Sequence, residues 1–486
     1  MYTCGPTVYR HAHVGNLRTF MLADFIRRAL LYHGISVKHV KNITDVGHMR
    51  DEHHDHGGDR MLVQAELEGR PAAELAAHYE AEFHHDEALI NILPAHVFPR
   101  ATEHVDEMIA IAERLQDLGL AYATDDGTLY YDVSRFEGYG QLSGNTLDKL
   151  RAGHRGTPDP AKDDPADFAL WKVAEPGRDL TWHTSRWGTG FPGWHLECSA
   201  MSMRYLGEQF DIHTGGVDNV FPHHEDEIAQ SAPLTGEVPA RLWVHGEHLL
   251  TAGRKMAKSA GNFQRITDLA DARIEPLALR YLALTARYGH KLHASDDSLR
   301  GAAAALNSLR AQLRALGPPP LSGEWSPPAV LQARPAGDRP HGESRHEAGH
   351  SGPAEPPFPL SDRAHAPPAP LSDQGRVLHE RFVAALDDDL DLPVALGTVR
   401  ETLRAELAPD ERRWLVLDAD LVLGLDLHAV WQSEDLPAEA QELVAARSRA
   451  REAGDYATAD ALREELRRLG VKVVDQPAQK VSREEG

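Results

Sequence analysis

Cysteine is scarce in this chain, with Cys4 and Cys198 as the two examples among 486 residues. One bridge at most is far below the density of secreted disulfide scaffolds, so we expect two reduced thiols. Long apolar runs are also missing, since no stretch approaches the roughly 18 apolar residues that a membrane helix needs. Residues 1–10 lack the basic start and apolar stretch of a secretory signal and the Arg-rich pattern of a transit signal. We therefore expect a cytoplasmic protein with no membrane role.

Basic residues are outnumbered, with 51 Lys and Arg against 74 Asp and Glu and a formal net charge of -23. This charge opposes nucleic acid binding in general, but it is compatible with a local basic face. Residues 441–468 offer such a face through Arg447, Arg449, Arg451, Arg463, Arg467 and Arg468. A solvated helix of mixed charge explains the same composition. The length predicts two to four domains.

Apolar spacing predicts an α/β region followed by helices. A helix over 18–32 leads to a strand over 37–43, and short β-like runs at 209–213 and 242–245 end in polar motifs. Chemistry at strand ends is typical of open α/β sheets. Further on, leucines spaced by three and four predict an amphipathic helix from Leu299 to Gly317.

A proline-rich stretch then interrupts the helical pattern. Residues 317–374 carry few large apolar side chains and contain the string PLSD twice. Such a composition does not offset its ordering entropy, so we expect a disordered insert. Helical patterning resumes at Val377 and continues to about Leu469, with a helix over 455–469, and a short strand is predicted at 471–474.

Two short loops carry residues suited to phosphate chemistry. In the first, residues 4–16, Gly15 and Asn16 lead into a helix, whose amino terminus attracts anions, and His13 can donate to a phosphoryl oxygen. A buried structural histidine is the competing interpretation. In the second, residues 253–262, Lys255 and Lys258 can neutralise a leaving pyrophosphate. A solvated basic turn is the alternative, and the order of a Walker loop is missing.

A third set is distributed along the chain and comprises Cys4, Cys198, His223 and Glu227. Pro222 suits the first turn of a helix, on which His223 and Glu227 share one face. Two thiolates, an imidazole and a carboxylate can bind zinc, although the spacing fits no zinc finger. Two buried thiols beside a surface His-Glu pair remain the alternative. Another histidine cluster, interpreted as a solvated loop, consists of His48, His53, His54 and His56.

Together these strings resemble the cysteinyl-tRNA synthetase family. CGPTVYRHAHVGNLRTF is similar to that family's form of the class I HIGH signature, and KMAKSAGN is similar to its KMSKS signature. GWHLECSAM, HTGGVDN and FPHHEDEIAQS lie between them in the family's order. The signatures also depart from the pattern, because Asn16 replaces a histidine and Ala257 a serine. The family's usual leading strand segment is missing, which indicates either a truncated start or a sheet without one edge.

The resemblance implies a Rossmann-like class I synthetase fold. It implies a catalytic nucleotide-binding domain over 1–285 with an insertion at roughly 90–190 and a KMSKS-like loop at 253–262. A helical bundle over 286–435, interrupted by the insert, and an anticodon-recognition region over 436–486 would follow. The implied partners are tRNA(Cys), L-cysteine and ATP with Mg²⁺, and we expect a monomer.

The resemblance also assigns roles to single residues. One zinc ion would be held by the distributed set of four, and the substrate thiolate would join it, which gives a basis for rejecting serine without editing. His13, Gly15 and Asn16 would hold ATP, with Asp218 as a weaker candidate. Lys255 and Lys258 would stabilise pyrophosphate. Thr44 and Trp194 would line the amino-acid pocket, although Trp194 suits a core aromatic as well.

Two other functions remain open at this point. A ligase that activates cysteine but passes it to a small amine fits the same signatures, and the long carboxyl-terminal region speaks against it. A noncatalytic tRNA-binding paralogue fits the altered signatures, and the retained histidine, lysines and metal candidates speak against it.

Overall fold

The computed structural model describes residues 1–46, 49–51, 56–145, 161–175, 177–251, 254–255, 264–318 and 369–431, and parts of 443–468. Two compact units divide the chain, Met1–His428 and Ala429–Gly486. The predicted insert lies mainly outside the described residues, as do Lys258, the predicted strand at 471–474 and most of the His48–His56 cluster.

The strands that the structure describes in the first unit occur in four sheets. In chain order they are β1 Tyr2–Thr3, β2 Val40–Lys41, β3 Met49–Asp51, β4 His56–Asp59, β5 Ala121–Ala123, β6 Leu129–Tyr131, β7 Phe168–Val173, β8 Trp182–Thr184, β9 Gly188–Pro192, β10 Phe210–Gly216, β11 Ala240–Gly246, β12 Leu249–Thr251, β13 Arg254–Lys255 and β14 Leu292–His293.

The α-helices of the described residues lie between and after these strands. They are α1 Val14–Tyr32, α2 Arg60–Glu68, α3 Ala72–Leu89, α4 Val105–Asp117, α5 Trp194–Leu206, α6 Glu225–Thr235, α7 Ile266–Asp271, α8 Leu277–Ala283, α9 Asp296–Arg314, α10 Asp373–Asp387, α11 Leu392–Arg404, α12 Pro409–Leu423 and, in the second unit, α13 Tyr456–Arg468.

A parallel sheet of order β11-β10-β1-β2 organises the first unit. The two-residue strand β1 lies inside it, with Tyr2 opposite His213 on one side and Val40 on the other. Tyr2 and Val40 have no exposed surface, and helix α1 packs on the same sheet. The carboxyl ends of these parallel strands therefore meet at one edge, next to the amino terminus of α1. The predicted α/β class is confirmed.

Helix α1 begins four residues earlier than the apolar spacing predicts. His13 caps it, because its Nδ1 accepts from the Asn16 N–H at 3.0 Å while Asn16 Oδ1 accepts from the His13 N–H at 3.2 Å. Two reciprocal bonds satisfy backbone donors that the helix itself leaves unpaired. The signature residues are thus also the residues that start the helix.

An antiparallel sheet and a group of helices accompany the parallel sheet in the first unit. An antiparallel sheet of order β5-β6-β7-β9-β8 interrupts the chain between β2 and β10. Beyond the parallel sheet, α9 buries the predicted stripe that includes Leu299, Leu306 and Leu313, and it packs with α8 and α11. The amphipathic helix predicted there is confirmed, with its start fixed by a Ser295 cap.

The second unit contains α13, which matches the helix predicted over 455–469 and buries Ala459 and Leu466. Of the arginines in the predicted basic face, Arg447 is buried and Arg463 is exposed. Arg447 therefore does not contribute to an exposed stripe. Within the described residues, no helix is long and apolar enough to span a membrane.

Candidate active site

An open cleft lies at the carboxyl edge of the parallel sheet. Its lining includes all the predicted site residues that the structure describes with side chains, except Glu227: Cys4, His13, Gly15, Asn16, Thr44, Trp194, Cys198, Asp218 and His223. Glu227 is in contact with Cys4 and His223 at its floor.

The wall formed by α1 has the features of a phosphate site. His13, Gly15 and Asn16 line the cleft at the first turn of the helix. A Cβ atom on Gly15 would lie 2.9 Å from the His13 ring, so a side chain there would displace the imidazole. Glycine keeps this helix start open, which leaves its N–H groups and the helix dipole available to an anion.

Cys4, Cys198, His223 and Glu227 converge below that wall. One donor atom from each lies within 4.8 Å of the others. Cys4 follows β1, Cys198 lies in α5, His223 lies in the helical turn Val220–His224, and Glu227 lies one turn later in α6. Parts of the chain more than 200 residues apart thus supply one donor set, and the predicted shared face of His223 and Glu227 is present.

The distances within this set suit a tetrahedral cation. The two Sγ atoms are 3.8 Å apart, and His223 Nε2 lies 3.3 Å from both Cys198 Sγ and Glu227 Oε1. Two thiolates about 2.3 Å from a tetrahedral zinc ion are also about 3.8 Å apart. Burial raises the pKa of both thiols, so without a cation they stay protonated. A coordinated cation reverses this preference, because it binds the thiolate.

Behind these residues lies a layer of histidines that the sequence interpretation missed. His213 Nε2 is 2.9 Å from Glu227 Oε2, and His224 Nε2 is 3.3 Å from Cys4 Sγ. His245 Nε2 lies 2.8 Å from His224 Nδ1 and extends the chain of rings. Burial lowers the pKa of His224 well below its usual range, so its ring is neutral.

These histidines create a second donor set that overlaps the first. Cys4, His213, His224 and Glu227 also offer donor atoms within 4.8 Å of one another. The first set holds both thiols, the ligands that a soft cation prefers, and three of its four members line the cleft, so it is the better match to a zinc site. The rings of His213 and His224 then act on Glu227 and Cys4 as hydrogen-bonding partners.

Thr44 and Trp194 lie beside the donor set. The Trp194 ring is 4.3 Å from the His223 ring, and it is half-buried against the cleft, so it is not a core aromatic. Thr44 is buried and donates to Glu197 Oε2 at 2.7 Å, while Asn42 Nδ2 donates to Thr44 Oγ1 at 3.2 Å. A small substrate between Trp194 and Thr44 would therefore lie next to the cysteines.

The start of β12 borders the cleft near the first turn of α1. Leu249, at the start of β12, lines the cleft, and the backbone of Lys255 pairs with Leu250. Asp218 also lines the cleft and lies 3.5 Å from His248, measured from Oδ1 to Nε2. The strand of Lys255 is thus paired with a strand that begins at the cleft.

Comparison with known proteins identifies the family. A model of the class I tRNA synthetase (C) catalytic domain matches residues 1–304, and one of the cysteinyl-tRNA ligase anticodon binding domain matches residues 433–481. The chain belongs to the cysteine–tRNA ligase family. It is 39% identical over 485 residues to cysteine–tRNA ligase 1 of Burkholderia lata, covering 98% of this chain and 90% of that protein. It is 37% identical over 489 residues to the enzyme of Thermus thermophilus, covering 98% and 92%.

Solved class I synthetases share the fold at low identity. Mycobacterium tuberculosis methionyl-tRNA synthetase with methionyl-adenylate matches with a TM-score of 0.55 at 14% identity, covering 94% of this chain and 95% of that one. A leucyl-tRNA synthetase from Agrobacterium radiobacter matches with a TM-score of 0.55 at 9% identity, covering 90% and 85%. The resemblance stated from the signatures is confirmed, and this member of the cysteine–tRNA ligase family is an ATP-using ligase.

Proposed function

We propose that this ligase activates L-cysteine with ATP and Mg²⁺, transfers it to tRNA(Cys), and selects it with one zinc ion. The convergence of Cys4, Cys198, His223 and Glu227 at the floor of the cleft carries this proposal. The family match supports the reaction, and the donor set supports the means of selection.

Two displacements make up the reaction. A carboxylate oxygen of cysteine attacks the α-phosphorus of ATP, the bond to the β-phosphate breaks, and pyrophosphate leaves with its electron pair. A hydroxyl of the terminal ribose of tRNA then attacks the carbonyl carbon of cysteinyl adenylate, loses its proton, and AMP leaves. Positioning and charge stabilisation supply most of the catalysis in such phosphoryl chemistry.

The chain's own residues bind and orient the nucleotide. In this proposal His13, Gly15 and Asn16 hold the phosphates at the start of α1, and Asp218 contacts the nucleotide across the cleft. Lys255 and Lys258 neutralise the charge that grows on the departing pyrophosphate. In this proposal the helix dipole and the ammonium groups act on the same anion.

Selection depends on the four donors at the floor. Cys4, Cys198, His223 and Glu227 would hold the ion, which when bound supplies a Lewis acid with high affinity for a thiolate. Thr44 and Trp194 shape the pocket around the substrate side chain. A serine hydroxyl is a weak ligand in such a site, so discrimination by as much as about 10⁴ to 10⁵ needs no editing domain.

The remaining features of the proposal concern the whole chain. We propose a catalytic domain over 1–285, a helical bundle over 286–435 and an anticodon-recognition region over 436–486. We further propose a cytoplasmic monomer.

The deciding experiment is transfer of labelled cysteine to a tRNA(Cys) transcript with ATP, beside serine and a Cys198→Ser variant. We expect the native protein to charge cysteine alone, and we expect the variant to lose bound zinc and most of its preference for cysteine. Cysteine-dependent pyrophosphate exchange without charging would assign a small-amine ligase instead. Zinc-free protein that charges with full selectivity would contradict the selection mechanism.

A further inference from the structure

Arg18 lies in the second turn of α1, five residues beyond His13, and only 6% of its surface is exposed. Its guanidinium donates to three backbone carbonyls. Nη1 donates to the oxygens of Glu247 at 2.6 Å and His248 at 2.7 Å, and Nη2 donates to that of His290 at 2.5 Å.

These carbonyls lie where the three-stranded sheet β13-β12-β14 begins. His248 directly precedes β12, and its oxygen also accepts from the Leu292 N–H of β14 at 3.1 Å. His290 precedes β14 by two residues. Arg18 therefore bonds the residues just before β12 and those just before β14, two strands that pair with each other. Strand β12 also pairs with β13, the strand that contains Lys255.

A second contact lies on the carboxyl-terminal side of residues 253–262, the loop that contains Lys255 and Lys258. The N–H of Val14, the first residue of α1, donates to the Gln264 carbonyl at 3.0 Å. Residues before and after the segment 256–263 are thus both bonded to the first two turns of α1. His13 and Asn16 begin that same helix.

We propose that Arg18 is a positioning residue that fixes the distance between the phosphate-binding start of α1 and the strand of Lys255. This inference rests on the proposed function, because it assigns Lys255 to the pyrophosphate. A guanidinium reaches three carbonyls in one plane, whereas a lysine ammonium is a single point donor that does not replace this fork. A displacement of about 1 Å at a reacting centre costs up to roughly 10²-fold in rate.

The test compares Arg18→Lys with Arg28→Lys. Arg28 lies in the same helix, is also buried, and donates to Asp24 at 2.8 Å and to the Asn91 carbonyl at 2.8 Å, away from the cleft. We expect Arg18→Lys to lower kcat for cysteine-dependent pyrophosphate exchange about 10- to 100-fold. Single-turnover transfer from enzyme-bound cysteinyl adenylate to tRNA, which involves no pyrophosphate, should change less than about threefold. Arg28→Lys should lower stability and leave the ratio of the two steps unchanged.

A double-mutant cycle with Lys255→Ala shows whether Arg18 acts through that lysine. We expect Arg18→Lys to have little further effect once Lys255 is removed. The inference would be overturned if the losses of kcat from Arg18→Lys and Lys255→Ala were independent and multiplied in the double variant. It would also be overturned if Arg18→Lys slowed activation and transfer equally.

Hydrogen exchange separates this inference from the proposed function. Arg18→Lys, and not Arg28→Lys, should speed exchange of the amides in β12, β13 and β14. The native protein could lack cysteine-dependent pyrophosphate exchange while Arg18→Lys still speeds hydrogen exchange in these strands. That result would refute the proposed function and leave the positioning role of Arg18 intact. Unchanged hydrogen exchange in these strands would refute the positioning role, whatever the activity.

Discussion

Glu227 and His213 form a buried pair in which His213 Nε2 lies 2.9 Å from Glu227 Oε2. The other carboxylate oxygen, Oε1, faces His223 Nε2 at 3.3 Å and Cys4 Sγ at 3.8 Å. One oxygen is therefore directed at the donor set and the other is held by a histidine. A partner behind a metal ligand fixes the orientation of that ligand and tunes its basicity.

Replacing His213 by alanine should lower zinc affinity about 10- to 100-fold, because Glu227 loses the partner that orients it. Competition with a chromogenic chelator measures this. His104→Ala is the control, since His104 is also buried but bonds the Tyr205 hydroxyl at 2.9 Å and does not line the cleft. Equal zinc affinity in the two variants would show that Glu227 needs no such support.

Removal of the cation should destabilise the fold as well as abolish selection. The donors come from the residue after β1, from α5, and from the turn Val220–His224 with the start of α6, so a bound ion crosslinks three parts of the chain. Any ligand that binds only the folded state raises its stability, by about 2.7 kcal/mol at a concentration 100 times its Kd. We expect dialysis against a chelator to lower the thermal midpoint of the native protein and to leave that of Cys198→Ser nearly unchanged. If dialysis against the chelator leaves the thermal midpoint of both proteins unchanged, the result would argue against a bound ion that stabilises the fold.

The histidine layer shows which part of the site the sequence could reveal. The predicted strands 209–213 and 242–245 end at His213 and His245, and both observed strands reach the same sheet edge. Parallel strands bring their carboxyl ends together, so these two histidines were open to prediction from the pattern. His224 was not, since its contact with Cys4 depends on how the turn before α6 folds.

The four proposed ligands illustrate the opposite case. Nothing in the spacing of Cys4, Cys198, His223 and Glu227 predicts contact, because only the His-Glu pair shares a helix face. The residue types offered the four as candidate ligands, the resemblance assigned zinc to them, and the fold supplies the geometry. Strand β1 escaped prediction for a simpler reason, since two residues are too few to show a period of two.

Asp24 anchors a buried charge network that the sequence did not indicate. Its Oδ2 accepts from Arg28 at 2.8 Å and from Arg280 at 2.5 Å, and all three side chains are buried. Arg280 also donates to the Leu423 carbonyl at 2.6 Å, which links α1 and α8 to the end of α12.

Asp24→Asn should cost about 3 to 5 kcal/mol, because it leaves two buried guanidinium groups without their carboxylate. Urea denaturation, followed by far-UV circular dichroism, measures the change. Asp117→Asn is the matched control, because Asp117 pairs with Arg186 at 2.6 Å on the surface and exposed pairs contribute little. A midpoint shift no larger than that of the control would refute a supporting role for the network.

Asp86 makes stability depend on pH near neutrality. Burial, followed by repulsion from the Glu82 carboxylate, raises the pKa of Asp86 to about 7. Arg265 opposes the rise, while Glu87 and Asp268 add to it. Between about pH 4 and pH 7, the folded protein therefore keeps a proton on Asp86 that the unfolded chain has already released. This group's contribution to stability is complete below about pH 4 and is lost as the pH rises through about 7.

Asp86→Asn should remove the loss of stability that the native protein shows as the pH rises, because the amide keeps the shape of the protonated carboxyl and carries no charge. The thermal midpoint of the variant relative to the native protein should rise steadily between pH 4 and 7 and then level off. Asp125→Asn, at an exposed turn, should leave the pH profile of the native protein unchanged. A difference between Asp86→Asn and the native protein that stays constant across this range would show that Asp86 is already ionised in the folded state.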